Sequence, residues 1–206
     1  MHARSIHGER VDTTEVPRLI ETHLHTPYAY RALRETLEAS AERVLRNYID
    51  ANRELFDKIE FSEKQIEINL GGGVSVNGRI DLIRRIATGE TTIVDLKSSD
   101  RAQPEEVTET QLHIYALGYQ ELTGRRADFV EIYELDEGRR KPRSVDDDFL
   151  ADVKTDVLRA AGALRTSTLP ADPTAQKCAG CDYCGMCSAG TRVAAASTGR
   201  ARAGAR

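Results

Sequence analysis

Apolar and polar positions alternate with two different periods along this chain, and the switches between them divide it into elements. Residues 14–25, TEVPRLIETHLH, read as a short helix. Thr14 is its expected cap, and Pro17 lies in the first turn, where a missing N–H is tolerated. Residues 30–59 predict a longer helix, because Leu33, Leu37, Val44, Leu45, Tyr48 and Ile49 recur at helical spacing between Arg and Glu. The period then drops to two. In KQIEINL, Ile66, Ile68 and Leu70 alternate with polar residues, as in a half-buried strand. GGG at 71–73 turns the chain into a second strand, VSVNGRIDLIRRI, and ATGE turns it into a third, TTIVDLKSS. Three strands joined by short turns form an antiparallel meander.

Helical spacing returns at 104–123. Pro104 opens this stretch, Leu112, Tyr115, Ala116 and Tyr119 form its apolar stripe, and Gly124 ends it. ADFVEIYEL reads as a fourth strand, which a helical crossover sets parallel to the third. DDDFLADVKTDVLRAAGALRT is the last long helix, with acidic residues at its positive end and Pro170 and Pro173 beyond its stop. This order gives an α/β fold: a central mixed β-sheet, made of a three-strand meander plus a crossover strand, flanked by helices. Residues 1–188 are expected to form a single domain, and 189–206, which lack periodicity, a disordered tail.

Composition narrows the function classes. The 206 residues carry a net charge of −4, which argues against a protein that coats nucleic acid through overall basicity. Local basic clusters at Arg84-Arg85, Arg125-Arg126 and Arg139 to Arg143 read first as solvated surface charge. No apolar run approaches the roughly 20 residues needed to span a bilayer, and MHARSIHGER lacks the apolar centre of a signal peptide, so a cytoplasmic protein without a membrane partner is expected.

The third strand should be apolar throughout, yet it carries Asp95 and Lys97. Side chains two apart on a strand share a face, so both stand beside Ile93 while Val94 and Leu96 take the opposite face. Buried charge needs compensation. Counting back across the ATGE turn puts Asp81 of GRIDLI opposite the Asp95 region. Two readings follow. One is a structural ion pair between Lys97 and a carboxylate. The other is a divalent-metal site, since carboxylates from adjacent strands suit Mg²⁺ or Mn²⁺, with the lysine beside the attacking water of phosphodiester hydrolysis.

Asp81 followed by Asp95-Leu96-Lys97 after a short hairpin resembles the PD-(D/E)XK nuclease core, the restriction-endonuclease-like fold. GRIDLI, IVDLKSS and then QLHIYALGY on a helix resemble its RecB-like branch, which includes nuclease domains at the C-termini of UvrD/Rep-type helicases and the CRISPR adaptation exonucleases. The resemblance spans about residues 5–188. It implies catalytic roles for Asp81, Asp95, Lys97, Gln111 and Tyr115, the last two at the branch's Q-x-x-x-Y positions. It implies Mg²⁺ or Mn²⁺ held by Asp81, Asp95, the Leu96 backbone carbonyl and His7, with His23 and His25 as competitors for the histidine role; His113 reads as structural.

All four cysteines, Cys178, Cys181, Cys184 and Cys187, fall in KCAGCDYCGMC, a strong metal signal in a reducing compartment. Two residues between the pairs are too few for the usual loop of a zinc site, whereas C-x-x-C-x-x-C also holds iron–sulfur clusters. RecB-like nucleases with a cluster use one upstream cysteine and three near the C-terminus, spaced C-x₂-C-x₅-C. Cys178, Cys181 and Cys187 fit that spacing, but no cysteine precedes Cys178. The fourth ligand is then Cys184 or lies outside the chain, or the cluster has degenerated. A structural [4Fe–4S] cluster is expected, with Zn²⁺ as the alternative.

The expected function is metal-dependent, sequence-nonspecific cleavage of DNA ends or single strands in repair or recombination, with a superfamily 1 helicase as a partner. The chain is short for the branch, which suits a fragment or subunit of a helicase–nuclease. The alternatives are a catalytically silent nuclease-like module that binds DNA or a helicase, and a CRISPR-adaptation-type exonuclease.

Overall fold

The computed structural model describes residues 1–98 and 105–192, with only the backbone of 105–107. Two compact units divide at Leu158/Arg159. Pro104 and residues 193–206 of the expected tail lie outside the described residues.

The first unit is built on a five-stranded sheet in the order β1 (Ile59–Gly71), β2 (Val74–Arg85), β3 (Thr91–Lys97), β4 (Phe129–Glu134), β5 (Arg139–Ser144). The first three strands pair antiparallel, as the turn chemistry predicts. β3 and β4 pair in parallel through the crossover helix α4 (Glu105–Thr123), and β5 returns antiparallel to β4. This is the mixed α/β sheet expected of the restriction-endonuclease-like fold.

β5 is the strand that hydrophobic patterning does not reveal. RRKPRS is exposed at all six positions, so it has no alternation to read. It forms the sheet edge, where Pro142 withholds no needed N–H and basic side chains discourage further pairing.

Each face of the sheet buries a core. On one, α4 and α5 (Asp147–Arg165) supply Leu112, Tyr115, Tyr119, Phe149 and Val153 against Ile66, Ile80, Ile83, Ile93 and Val130. On the other, α2 (Val16–His23) and α3 (Arg31–Asn52) supply Val16, Tyr48 and Ile49 against Leu82, Val94 and Tyr133. The short α1 (His2–Ile6) joins that side, with the His2 ring 2.9 Å from the Tyr48 hydroxyl. Burial holds the His2 pKa down to about 4.

Local details refine the sequence reading. Asp12, not Thr14, caps the helical start: its carboxylate accepts the Thr14 N–H at 2.9 Å, and a 3₁₀ turn at 13–15 precedes α2. α3 ends at Asn52, and 53–58 tightens into a 3₁₀ segment. Of its expected stripe, Tyr48 and Ile49 are buried, while Leu33 and Leu37 are exposed. The C-terminal half of α3 makes the core contact.

α4 seats closely on the sheet at Gly118. A Cβ there would lie 2.3 Å from Ile66 Cδ1 and 3.1 Å from Ile66 Cβ, so only glycine allows this approach. That seat fixes the height of Gln111 and Tyr115, two turns and one turn earlier on the helix.

Candidate active site

The β2–β3 ladder runs from Arg85↔Thr91 to Leu82↔Val94. One step further, the strands exchange a side chain rather than a ladder bond: the Asp81 carboxylate accepts the Leu96 N–H at 2.9 Å. A local irregularity accompanies this. Glu63 on β1 has φ +51°, an uncommon conformation for a residue other than glycine, and no Glu63–Asp81 pair forms although Ser62↔Leu82 and Lys64↔Ile80 do. On one side of that step Ile66, Ile68 and Ile80 join the α4 core; on the other Phe61 and Ile83 do. The core-facing parity of the hairpin changes at Asp81, a change that strict alternation does not anticipate.

Asp95 stands on the α4-facing side of β3 and is 1% exposed. Its neighbour along the same face, Lys97, brings Nζ to 3.1 Å from Asp95 Oδ2. Lys97 is its ion-pair partner, and among the described residues no other donor reaches this buried oxygen. Burial raises the Asp95 pKa; Lys97 counteracts this, and the negative charge of Asp81 adds to it. The two carboxylates therefore sense one another.

Lys97 is held from α4. Its ammonium donates to Gln111 Oε1 at 2.9 Å, and Gln111 Nε2 donates to the Tyr115 hydroxyl at 2.6 Å. Residues four apart on a helix lie on one face, so Gln111 and Tyr115 form one polar ledge over β3. Burial raises the Tyr115 pKa, with Asp81 and Asp95 adding to the shift, so the phenol stays protonated. Five expected residues, Asp81, Asp95, Lys97, Gln111 and Tyr115, thus occupy one place. Leu96 turns its side chain to the opposite core, leaving its backbone beside Asp81.

A buried carboxylate met by one ammonium and flanked by a second carboxylate is the donor chemistry of a hard divalent cation. The pair fits such an ion. Among the described residues, no three His, Cys, Asp or Glu side chains are arranged to hold a metal. His7 ends α1 and is exposed, and among the described residues it shares no hydrogen bond or ion pair with these carboxylates. His23 ends α2 and is likewise exposed, while His113 packs on Phe149 with ring centres 3.8 Å apart.

The protein-family comparison decides the family. The family model described as the PD-(D/E)XK nuclease superfamily matches residues 3–188. The chain belongs to this superfamily. Two solved structures are similar to this PD-(D/E)XK nuclease. One is a candidate exonuclease from Eubacterium rectale, 16% identical, covering 85% of this chain and 74% of that one with a TM-score of 0.47. The other is SSO0001, also 16% identical, covering 91% and 94% with a TM-score of 0.42. No curated protein shows significant similarity.

The basic clusters of the nuclease are occupied by acids. Arg84 is buried against Glu131 at 2.7 Å, Arg125 reaches Glu60, and Arg126 reaches Asp147. On β5, Arg139 and Lys141 bracket Glu134, and Arg143 meets Glu109 at 2.6 Å. The reading of these clusters as solvated surface charge fails at Arg84, which is buried with Glu131; Arg125, Arg126, Arg139, Lys141 and Arg143 lie exposed, each paired with an acid.

In the second unit, α6 (Ala175–Ala179) is capped by Thr174, and successive tight turns carry the chain past Cys181, Cys184 and Cys187. Burial raises the Cys178 pKa, and the neighbouring thiols, Cys184 first, add to it. The Cys187 sulfur accepts the Gly190 N–H at 3.4 Å, and the amides of Gly190 and Ala189 lower its pKa. The described helices include none long and apolar enough to cross a membrane.

Proposed function

We propose that this chain is a divalent-metal-dependent deoxyribonuclease of the RecB-like branch. It would hydrolyse phosphodiester bonds without sequence preference at DNA ends or in single strands. The observation that carries the reading is the buried Asp95 carboxylate, within reach of the Asp81 charge and 3.1 Å from the Lys97 ammonium.

Asp81 and Asp95 would hold Mg²⁺ or Mn²⁺, with the Leu96 carbonyl and His7 as further candidate ligands. Such an ion offsets charge on a scissile phosphate and makes bound water more acidic. The protein's own groups do the rest. Lys97 supplies a fixed positive charge toward the attacked phosphate and positions the water. Gln111 accepts from Lys97 and so sets where the ammonium points, and Tyr115 fixes the Gln111 amide. Asp81, anchored by the Leu96 amide, keeps β2 and β3 in register at the reacting point.

A role in repair or recombination with a superfamily 1 helicase follows from the resemblance of the ordered series from Gly78 to Tyr115 to the RecB-like branch. The family match extends through Cys187, which supports reading 1–188 as one nuclease domain. The cysteines would carry a [4Fe–4S] cluster, or Zn²⁺, in a structural role. Iron, sulfide and zinc analysis of the purified protein with its visible spectrum tests this; colourless protein with no bound metal contradicts it.

The direct test incubates the protein with end-labelled linear single- and double-stranded DNA plus Mg²⁺, Mn²⁺ or EDTA, beside Asp95→Ala. Metal-dependent cutting that falls about a hundredfold or more in the variant is expected. Cutting that survives Asp95→Ala removes the site assignment. No cutting by the wild type under any condition favours a silent DNA-binding module.

A further inference from the structure

Among the described residues, Glu63 and Ser167 are the two non-glycines with positive φ, and of these only Glu63, at +51°, lies in a strand. A glutamate lacks the tolerance of glycine or asparagine for this conformation. Such outliers cost free energy, persist where the surrounding structure holds them, and cluster at functional sites.

The faces of the hairpin show what this one accomplishes. In the body of the sheet, Phe61, Ile83 and Ile93 meet the α4 core, while Leu82 and Val94 meet the opposite one. Continuing that alternation along β2 puts Asp81 on the α4 side with Asp95. The Asp81 charge accordingly reaches Tyr115 on α4. One residue further, alternation would turn Ile80 away from α4, and Ile66 and Ile68 of β1 with it. All three are instead buried in the α4 core, where Ile66 forms the seat for Gly118. Ile80 and Asp81 therefore follow one another on the same side, which requires the hairpin to turn over between them. Glu63 lies at that point. Its neighbours pair as Ser62↔Leu82 and Lys64↔Ile80, and Glu63 itself stands opposite Asp81 without pairing. Because β1 is the sheet edge, the irregularity interrupts one ladder rather than two.

We propose that Glu63 is a positioning residue of the active site: its left-handed backbone turns the β1–β2 hairpin over, so that one pair of strands both seats α4 through Ile66 and aims Asp81 at the point beside Asp95. This rests on the reading of Asp81 as a metal ligand and goes beyond it in naming the residue that aims it. The Glu63 carboxylate meets Arg79 Nε at 2.8 Å, but both side chains are well exposed and such a pair is weakened by water. The backbone conformation, not the ion pair, does the aiming.

The Leu96 amide, bonded to the Asp81 carboxylate, reports the aim without metal or turnover. Hydrogen exchange of this amide is followed against the Val130 amide of β4 as internal reference, with Asp81→Ala as the standard for a lost bond. Glu63→Gly and Glu63→Val remove the same carboxylate, but glycine accepts the left-handed conformation and valine opposes it. Glu63→Val should speed Leu96 exchange about tenfold or more, whereas Glu63→Gly and Arg79→Ala should stay within about twofold of the wild type. Mn²⁺ binding should follow the same order, weakened about tenfold in Glu63→Val. If Glu63→Val does not fold, Glu63→Ala supplies the comparison with Glu63→Gly. Equal Leu96 exchange in the valine (or alanine) and glycine variants would overturn the proposal. So would a loss in Arg79→Ala as large as in Glu63→Val, or a loss spread evenly over the sheet. Selective loss of Leu96 protection in Glu63→Val, in a protein whose wild type binds no Mn²⁺, would sustain the role of Glu63 and remove the metal reading. Mn²⁺ bound equally well by all variants, with Leu96 protected in each, would do the reverse.

Discussion

Asp95 is the residue on which the competing interpretations of this strand separate. Its pKa is raised chiefly by burial, so the folded protein favours its protonated form. A raised carboxylate pKa contributes stability that is fully present below the unfolded value of 3.8 and is lost as pH rises through the folded value. Asn at this position is neutral throughout. Asp95→Asn should therefore gain on the wild type in denaturant stability as pH climbs from about 4 to neutrality, while losing metal-dependent activity. If Asp95 and Lys97 were instead a stabilising ion pair, the substitution would cost about 3–5 kcal/mol at neutral pH. Urea melts of both proteins at pH 4.5 and 7.5 measure the difference. At this scale the sequence was informative about identity more than geometry. Asp81, Asp95, Lys97, Gln111 and Tyr115 were legible because charged groups interrupt apolar strands and two polar groups share a helix face. The near-complete burial of Asp95 and the left-handed Glu63 were not, since neither follows from residue type or spacing.

Among the elements, α4 governs the site because it delivers the lysine's partner. Its close approach depends on Gly118. Gly118→Ala gains about 1 kcal/mol in helix propensity and loses about 1–3 kcal/mol to overpacking against Ile66. The net expectation is a modest loss of stability with a larger loss of cleavage, because a displaced helix misplaces Gln111 beneath Lys97. Adding Ile66→Val removes the methyl at 2.3 Å and should restore activity in part. Thermal melts beside cleavage rates check this; a Gly118→Ala protein with unchanged activity would show that the seat does not position the ledge. The alternating pattern revealed β1 to β4 because each has a core face. It missed β5 because an edge strand of paired Arg and Lys buries nothing, and its partners Glu134 and Glu109 are distant in sequence. It overstated α3, whose leading turns carry Leu33 and Leu37 to solvent.

For the whole molecule, the order of elements and the parallel crossover were readable from period changes and turn residues, and they place Asp81 and Asp95 on neighbouring strands. α5 runs through Leu158/Arg159 with unbroken helical spacing. The proposed site for a hard cation is built jointly by two strands and one helix. Titration of the protein with Mn²⁺, following the loss of the free-ion electron paramagnetic resonance signal, tests that most directly. The expected result is a saturable site in the wild type that is weakened about tenfold or more in both Asp81→Asn and Asp95→Asn, as loss of a ligand or its support does. Equal Mn²⁺ binding by the wild type and the two variants, or binding abolished by only one of them, would contradict it.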